Sequence, residues 1–269
     1  MAEPYAPRRR PWRERRRRRR LARTLKRARI PLRHWRRACA RLDTLAHLDR
    51  RQRSHLRRLA SEFLAEKAVV GAGGQPIDDT VRTVIAAQAC LPVLALGLAV
   101  YRGWQTVVVY PDTFLVARAD VDDAGVLHEG SEALAGEAWD QGPVILSWGD
   151  IAADGPDAPV DGAVIVHEFA HKLDMLSGGP NGRPPLHPDM DPAAWTHAFS
   201  DAYEQLCAAI DAGRDPVIDP YAAESPGEFF AVLSETFFAA PAALRATYPA
   251  VYRQLARFYR QDPAAVARR

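Results

Sequence analysis

Apolar residues recur at steps of three and four along residues 42–67, at Leu42, Leu45, Leu48, Leu56, Leu59, Phe63 and Leu64. One face of an α-helix has this period, so the stretch predicts one or two amphipathic helices. Glycines and Pro76 in residues 71–76 end them. A further helix opens at Ile77-Asp78-Asp79-Thr80 and turns apolar from Val84 to Leu91, as a buried helix should. The apolar run to Val100 contains Gln88, Pro92 and Gly97. It falls short of the ~20 apolar residues that a spanning helix needs. A core helix followed by a turn is therefore expected, with no transmembrane segment. Residues 104–110, 113–117 and 143–148 are rich in β-branched and aromatic side chains and read as strands. The polar residues 120–136 between the last two read as loop. Residues 195–212 again have helical periodicity, and Ser225-Pro226 is a strong start for a further helix. The expected class is α+β, with a helical N-terminal part and a small sheet.

Charge changes this picture at one end only. The net charge of +3 conceals an asymmetry: residues 1–37 hold sixteen Arg, one Lys and two Glu, a net +15, which leaves −12 for the rest. Residues 1–29 are too charged to pack and are expected to form a disordered tail, with order beginning near Ile30 and one domain over residues 30–269. Such a tail could bind nucleic acid or another anionic surface, although a solvated extension is the simpler expectation. It lacks the apolar stretch of a secretory signal. Cys39, Cys90 and Cys207 are odd in number and far apart. They form no disulfide framework and no metal-binding pair, which points to a reducing compartment.

Chemistry concentrates in Val166-His167-Glu168-Phe169-Ala170-His171. Four residues is close to one turn of a helix with about 3.6 residues per turn, so both imidazoles share a face. Two neutral imidazoles in that position can hold one tetrahedral metal, usually Zn²⁺. Glu168, directly after the first histidine, can then stand beside the open position as a general base. The bland alternative is a pair of core histidines on a buried helix. Asp174 lies three residues after His171, on the same face, where it could orient a histidine ring; otherwise it is a solvent-exposed helix-end carboxylate. His128-Glu129 has no second histidine four residues on, and His197 falls within the helix over residues 195–212, where a structural role is expected.

A catalytic zinc site usually takes a third protein ligand. No further histidine follows at a suitable spacing, but residues 221–238, a second helix and its approach, offer Glu224, Glu228 and Glu235. Ser225 and Glu228 also have the spacing of a capping box, in which the glutamate would only return a hydrogen bond to the backbone. Local pattern leaves cap and ligand equally open for Glu228. Glu235, seven residues on, projects from nearly the same face and could support a ligand.

Several separated motifs occur in order: Phe63-Leu64-Ala65-Glu66-Lys67, residues 85–92, Val109-Tyr110-Pro111, Leu146-Ser147-Trp148, residues 167–174 and Glu228-Phe229-Phe230-Ala231-Val232. Over about residues 30–260 they resemble the Mlc titration factor A family of bacterial zinc peptidases. The resemblance implies a zincin-like active-site fold, similar to the catalytic domain of anthrax lethal factor, with two zinc-bearing helices. It implies His167, His171 and Glu228 as ligands of Zn²⁺, Glu168 as general base, and Tyr221, seven residues before the glutamate ligand, as a donor to the oxyanion. It also implies a peptide or protein substrate, a cytoplasmic location and binding to the glucose repressor Mlc. The rival expectation is a non-enzymatic protein that sequesters a transcriptional repressor.

Overall fold

A computed structural model of the chain describes residues 29–111, 114–121, 127–134, 136–138, 142–152 and 160–266. Almost all of the arginine-rich segment expected to be disordered lies outside them.

The helical N-terminal part is present. Helix α1 (Leu32–Cys39) and helix α2 (Arg50–Glu66) flank a short 3-10 turn, Asp43–Leu45. Asp49 caps α2 in a reciprocal box with Gln52. Helix α3 (Asp79–Cys90) is capped by Asp78, and all its residues from Val84 onward are buried, as its apolar run predicts. Helices α1 and α2 both pack on α3.

The sheet is larger than the sequence suggests. Strands β1 (Ala68–Gly71), β2 (Thr106–Tyr110) and β6 (Val144–Ser147) pair in parallel, in the order β1-β2-β6. Strand β5 (Gly136–Ala138) closes the other side of β6 in antiparallel fashion. All four residues of β6 are buried, which suits a strand paired on both sides and covered by helices. Both hydrogen-bonding edges of β6 are occupied, by β2 and β5, so the outer edge on this side of the sheet belongs to β5. The expected polar loop over residues 120–136 also needs correction. Strands β3 (Phe114–Val121) and β4 (Leu127–Leu134) form an antiparallel hairpin there.

Helix α4 (Trp148–Ile151) is one short turn beyond β6. Helix α5 (Gly162–Asp174) starts on Asp161, whose side chain accepts the N–H of Ala163 at 2.9 Å. Its inner face is apolar: Ile165, Val166, Phe169, Ala170 and Leu173 are all at most 1% exposed. Phe169 meets the rings of Phe63, Tyr101 and Trp104 at 5.3–5.8 Å, which fixes the helix against α2 and the start of the sheet. Helix α6 (Pro192–Asp211) follows a loop, and helix α7 (Pro226–Ala239) packs closely on α5. Helices α8 (Pro241–Thr247), α9 (Pro249–Tyr259) and α10 (Pro263–Val266) complete the chain. Among the described residues no helix is long and apolar enough to cross a membrane. The α+β class holds, and α5 and α7 are the two helices that matter for the site.

Candidate metal centre

Helix α5 brings both histidines to one spot because their spacing is close to one helical turn. The Nε2 atoms of His167 and His171 stand 3.1 Å apart, and their rings meet edge to face at 4.8 Å. Helix α7 supplies the third group. Glu228 Oε2 lies 3.1 Å from His167 Nε2 and 3.3 Å from His171 Nε2. Three donors each about 2.0–2.1 Å from one tetrahedral ion would sit roughly 3.3 Å from one another. The three separations match that figure. Among the described residues, His167, His171 and Glu228 form a group able to hold a metal ion. The donor set fits the group that the sequence calls for.

Cap and ligand turn out to be compatible at Glu228. Ser225 Oγ accepts its backbone N–H at 3.1 Å and starts α7, with Pro226 in the first turn. The Glu228 side chain does not close the reciprocal box; it turns to the imidazoles. Glu235 has the supporting place expected of it, with Oε2 at 3.5 Å from the other ring nitrogen of His167. Glu224 is exposed on the surface.

The electrostatics call for a cation. Burial alone would lower the pKa of His167, but Glu228 and Glu235 at its two nitrogens, with the nearby charge of Glu168, push it up to about 10. Burial would raise the Glu228 carboxyl, and the two imidazoles override this to hold it well below the usual carboxylate range. A proton shared among these groups meets part of that demand for positive charge. A raised imidazole pKa stabilises the folded state fully below the unfolded value of about 6.5, and this contribution is lost as pH rises through the folded value. The metal-free protein should therefore melt at falling temperature between pH 7 and pH 9, whereas the zinc-loaded protein should not share that slope. Thermal melts with chelator and with zinc check this; a metal-free melting point that rises over the range contradicts it.

Glu168 is buried, 3% exposed, directly after His167 in α5. Tyr221 sits in a 3-10 turn (Pro220–Ala223) ahead of α7, with its ring 6.3 Å from that of His167. It is 38% exposed, open toward solvent at the rim of the site. Asp174 is fully buried rather than solvent-exposed. Its Oδ2 accepts the N–H of Gly182 at 2.7 Å, and the nearby charge of His171 also acts on it. Burial pushes its carboxyl up to about 6 despite that bond. His197 is a surface residue paired with Asp201 at 3.3 Å, and His187 Nε2 bonds the carbonyl of Phe258.

This geometry can be set beside known proteins. The model of the glucose-regulated metallopeptidase M90 family matches residues 12–260. The chain belongs to that family. The match begins at residue 12, inside the arginine-rich segment and well before Ile30, where the resemblance in sequence was expected to start. Among curated relatives, the Mlc titration factor A of Pectobacterium atrosepticum is 39% identical over 236 residues, covering 87% of this chain and 88% of the relative. That of Yersinia pestis is 39% identical over 231 residues, covering 85% and 84%, and that of Yersinia pseudotuberculosis gives the same figures. Membership of an M90 metallopeptidase family implies a metal cofactor and peptide substrates. The three converging donors on α5 and α7 lie within the matched segment.

Proposed function

We propose that the chain is a zinc-dependent peptidase in which His167, His171 and Glu228 hold Zn²⁺ and Glu168 is the general base. The observation that carries this reading is the convergence of two imidazole nitrogens and one carboxylate oxygen at 3.1–3.3 Å, with a buried carboxylate on the residue beside them. A dication held there supplies Lewis acidity, lowering the pKa of a water to about 7 and polarising a peptide carbonyl. Glu168 takes the proton of the attacking water and passes it to the leaving amine. Tyr221 donates its phenolic proton in a hydrogen bond to the oxyanion of the tetrahedral intermediate. Glu235 steadies the His167 ring through its second nitrogen.

A second reading is favoured by the relatives' own name. It makes the Mlc repressor a binding partner, so that the protein regulates by sequestration as well as, or instead of, hydrolysis. The cysteines Cys39, Cys90 and Cys207 are all unpaired, which supports a cytoplasmic location. Residues 1–29 are proposed as an appendage to the peptidase domain, with nucleic-acid binding a lesser role for them.

Metal analysis and cleavage of an unfolded protein substrate test the reading together. One zinc per chain is expected, with hydrolysis abolished by chelation and restored by stoichiometric zinc. Cleavage that persists after the metal has been stripped sinks it.

A further inference from the structure

Glu228 lies 61 residues beyond His167, so its place beside the imidazoles depends on what holds the first turn of α7. Ser225 shapes that turn but does not locate it. The loop over residues 178–183, which leaves α5, runs against it backbone to backbone. A Cβ on Gly182 would stand 2.6 Å from the carbonyl oxygen of Pro226, and one on Gly227 would stand 2.8 Å from the carbonyl oxygen of Pro180. Side chains do not tolerate such separations, and Gly182 also has φ of +74°, in the left-handed region. The loop is in turn fixed by Asp174, whose buried Oδ2 takes the Gly182 N–H, and by Trp195, whose Nε1 donates to the Gly182 carbonyl at 3.0 Å. Phe229 and Phe230, at most 1% exposed, pack the first turn into the core against Phe199, Tyr203 and Tyr248, and the glycine contacts set how closely that turn approaches the loop from α5.

We propose that Asp174 is a positioning residue for the metal, acting through Gly182 and Gly227 to hold Glu228 in register with His167 and His171. One helix then carries two ligands and, three residues after the second, the anchor that sets the third. The inference rests on the reading of these three residues as ligands. It assigns Asp174 a role through an oxygen acceptor rather than through charge. Asparagine also offers an oxygen to Gly182, whereas alanine does not.

Zinc affinity measured on the full chain by competition with a chromophoric chelator separates the possibilities. Asp174→Ala and Gly227→Ala are expected to bind zinc about 10–100-fold more weakly, the range for residues that support a metal ligand. Asp174→Asn should remain within a few-fold of wild type. At saturating zinc, Asp174→Ala should recover most of its kcat, which a general loss of structure would not allow. Folded Asp174→Ala or Gly227→Ala chains that hold zinc as tightly as wild type overturn the proposal. So does a tenfold or greater loss in the isosteric Asp174→Asn, which remains decisive even if the other two variants fail to fold. A wild-type chain that binds no zinc refutes the ligand assignment itself, a different outcome.

Discussion

Glutamine in place of Glu168 is expected to retain one zinc per chain and to melt like wild type, yet to lose peptide hydrolysis by about 10²–10⁴-fold in kcat. The two side chains have the same shape, and the position is 3% exposed, so packing against the core is kept. The amide cannot take a proton from water at neutral pH, so the base function goes while binding of the substrate stays, and KM should move little. Loss of one negative charge beside His167 removes part of the potential that favours a cation, but the three donors themselves remain. Cleavage assays on an unfolded protein substrate, with metal content measured on the same samples, check this. A fully active variant removes Glu168 from the mechanism. The same variant also separates the two functional readings: if it keeps its whole regulatory effect in cells, sequestration of a repressor suffices and hydrolysis is incidental to it.

The second large effect belongs to Glu228. Glu228→Gln should weaken zinc by more than the roughly 10–100-fold typical of residues that merely support a ligand, and peptidase activity should fall with it at limiting zinc. A neutral amide oxygen facing a dication forfeits the charge that makes a carboxylate a good ligand. The helix should survive, because Ser225 Oγ accepts the backbone N–H of residue 228, and that N–H is present in either variant. Replacement of the cap itself, Ser225→Ala, should cost about 1 kcal/mol of stability and leave a zinc-replete, active enzyme. Chelator competition and thermal melting distinguish the two. A zinc-replete, active Glu228→Gln protein contradicts the assignment, since Glu235 already faces the other nitrogen of His167 and Glu224 lies on the surface.

What the sequence disclosed follows from how local each feature is. His167 and His171 are legible because one helical turn relates them, and that geometry needs nothing beyond α5. Local pattern leaves Glu228 as one of three glutamates, and only the family resemblance singles it out. Its selection depends on α7 crossing α5, and its capping spacing with Ser225 is real as well. Strand β4 was hidden because Leu127–Leu134 contains Gly130, Ser131 and Ala133 and no β-branched residue; its pairing with β3 supplies what propensity does not. Strand β1 was hidden because only one of its four residues, Val69, is buried. The link from Asp174 through Gly182 to Gly227 has no local signature. A Gly-Gly-Pro run reads as a helix stop, and nothing in it says which distant backbone it will touch. Lys67, read as a helix end and as part of a family motif, carries its ammonium to the Tyr101 and Trp104 carbonyls and over the Trp104 indole.

The parallel core of the sheet has a consequence for the order of events in folding. β1 and β2 are separated by residues 72–105, and β2 and β6 by residues 111–143, so neither pair can zip from a tight turn. Long loops must close before those contacts reward the chain, which slows the approach to the native state. The metal-binding donors come together across 61 residues on two helices that pack against one another, so they meet only once that search is over. A small zinc finger is nucleated by its ion; an ion held by these donors is expected instead to bind after the rate-limiting barrier. It should then leave the folding rate unchanged and slow unfolding, deepening the native well of a fold that it does not help to find.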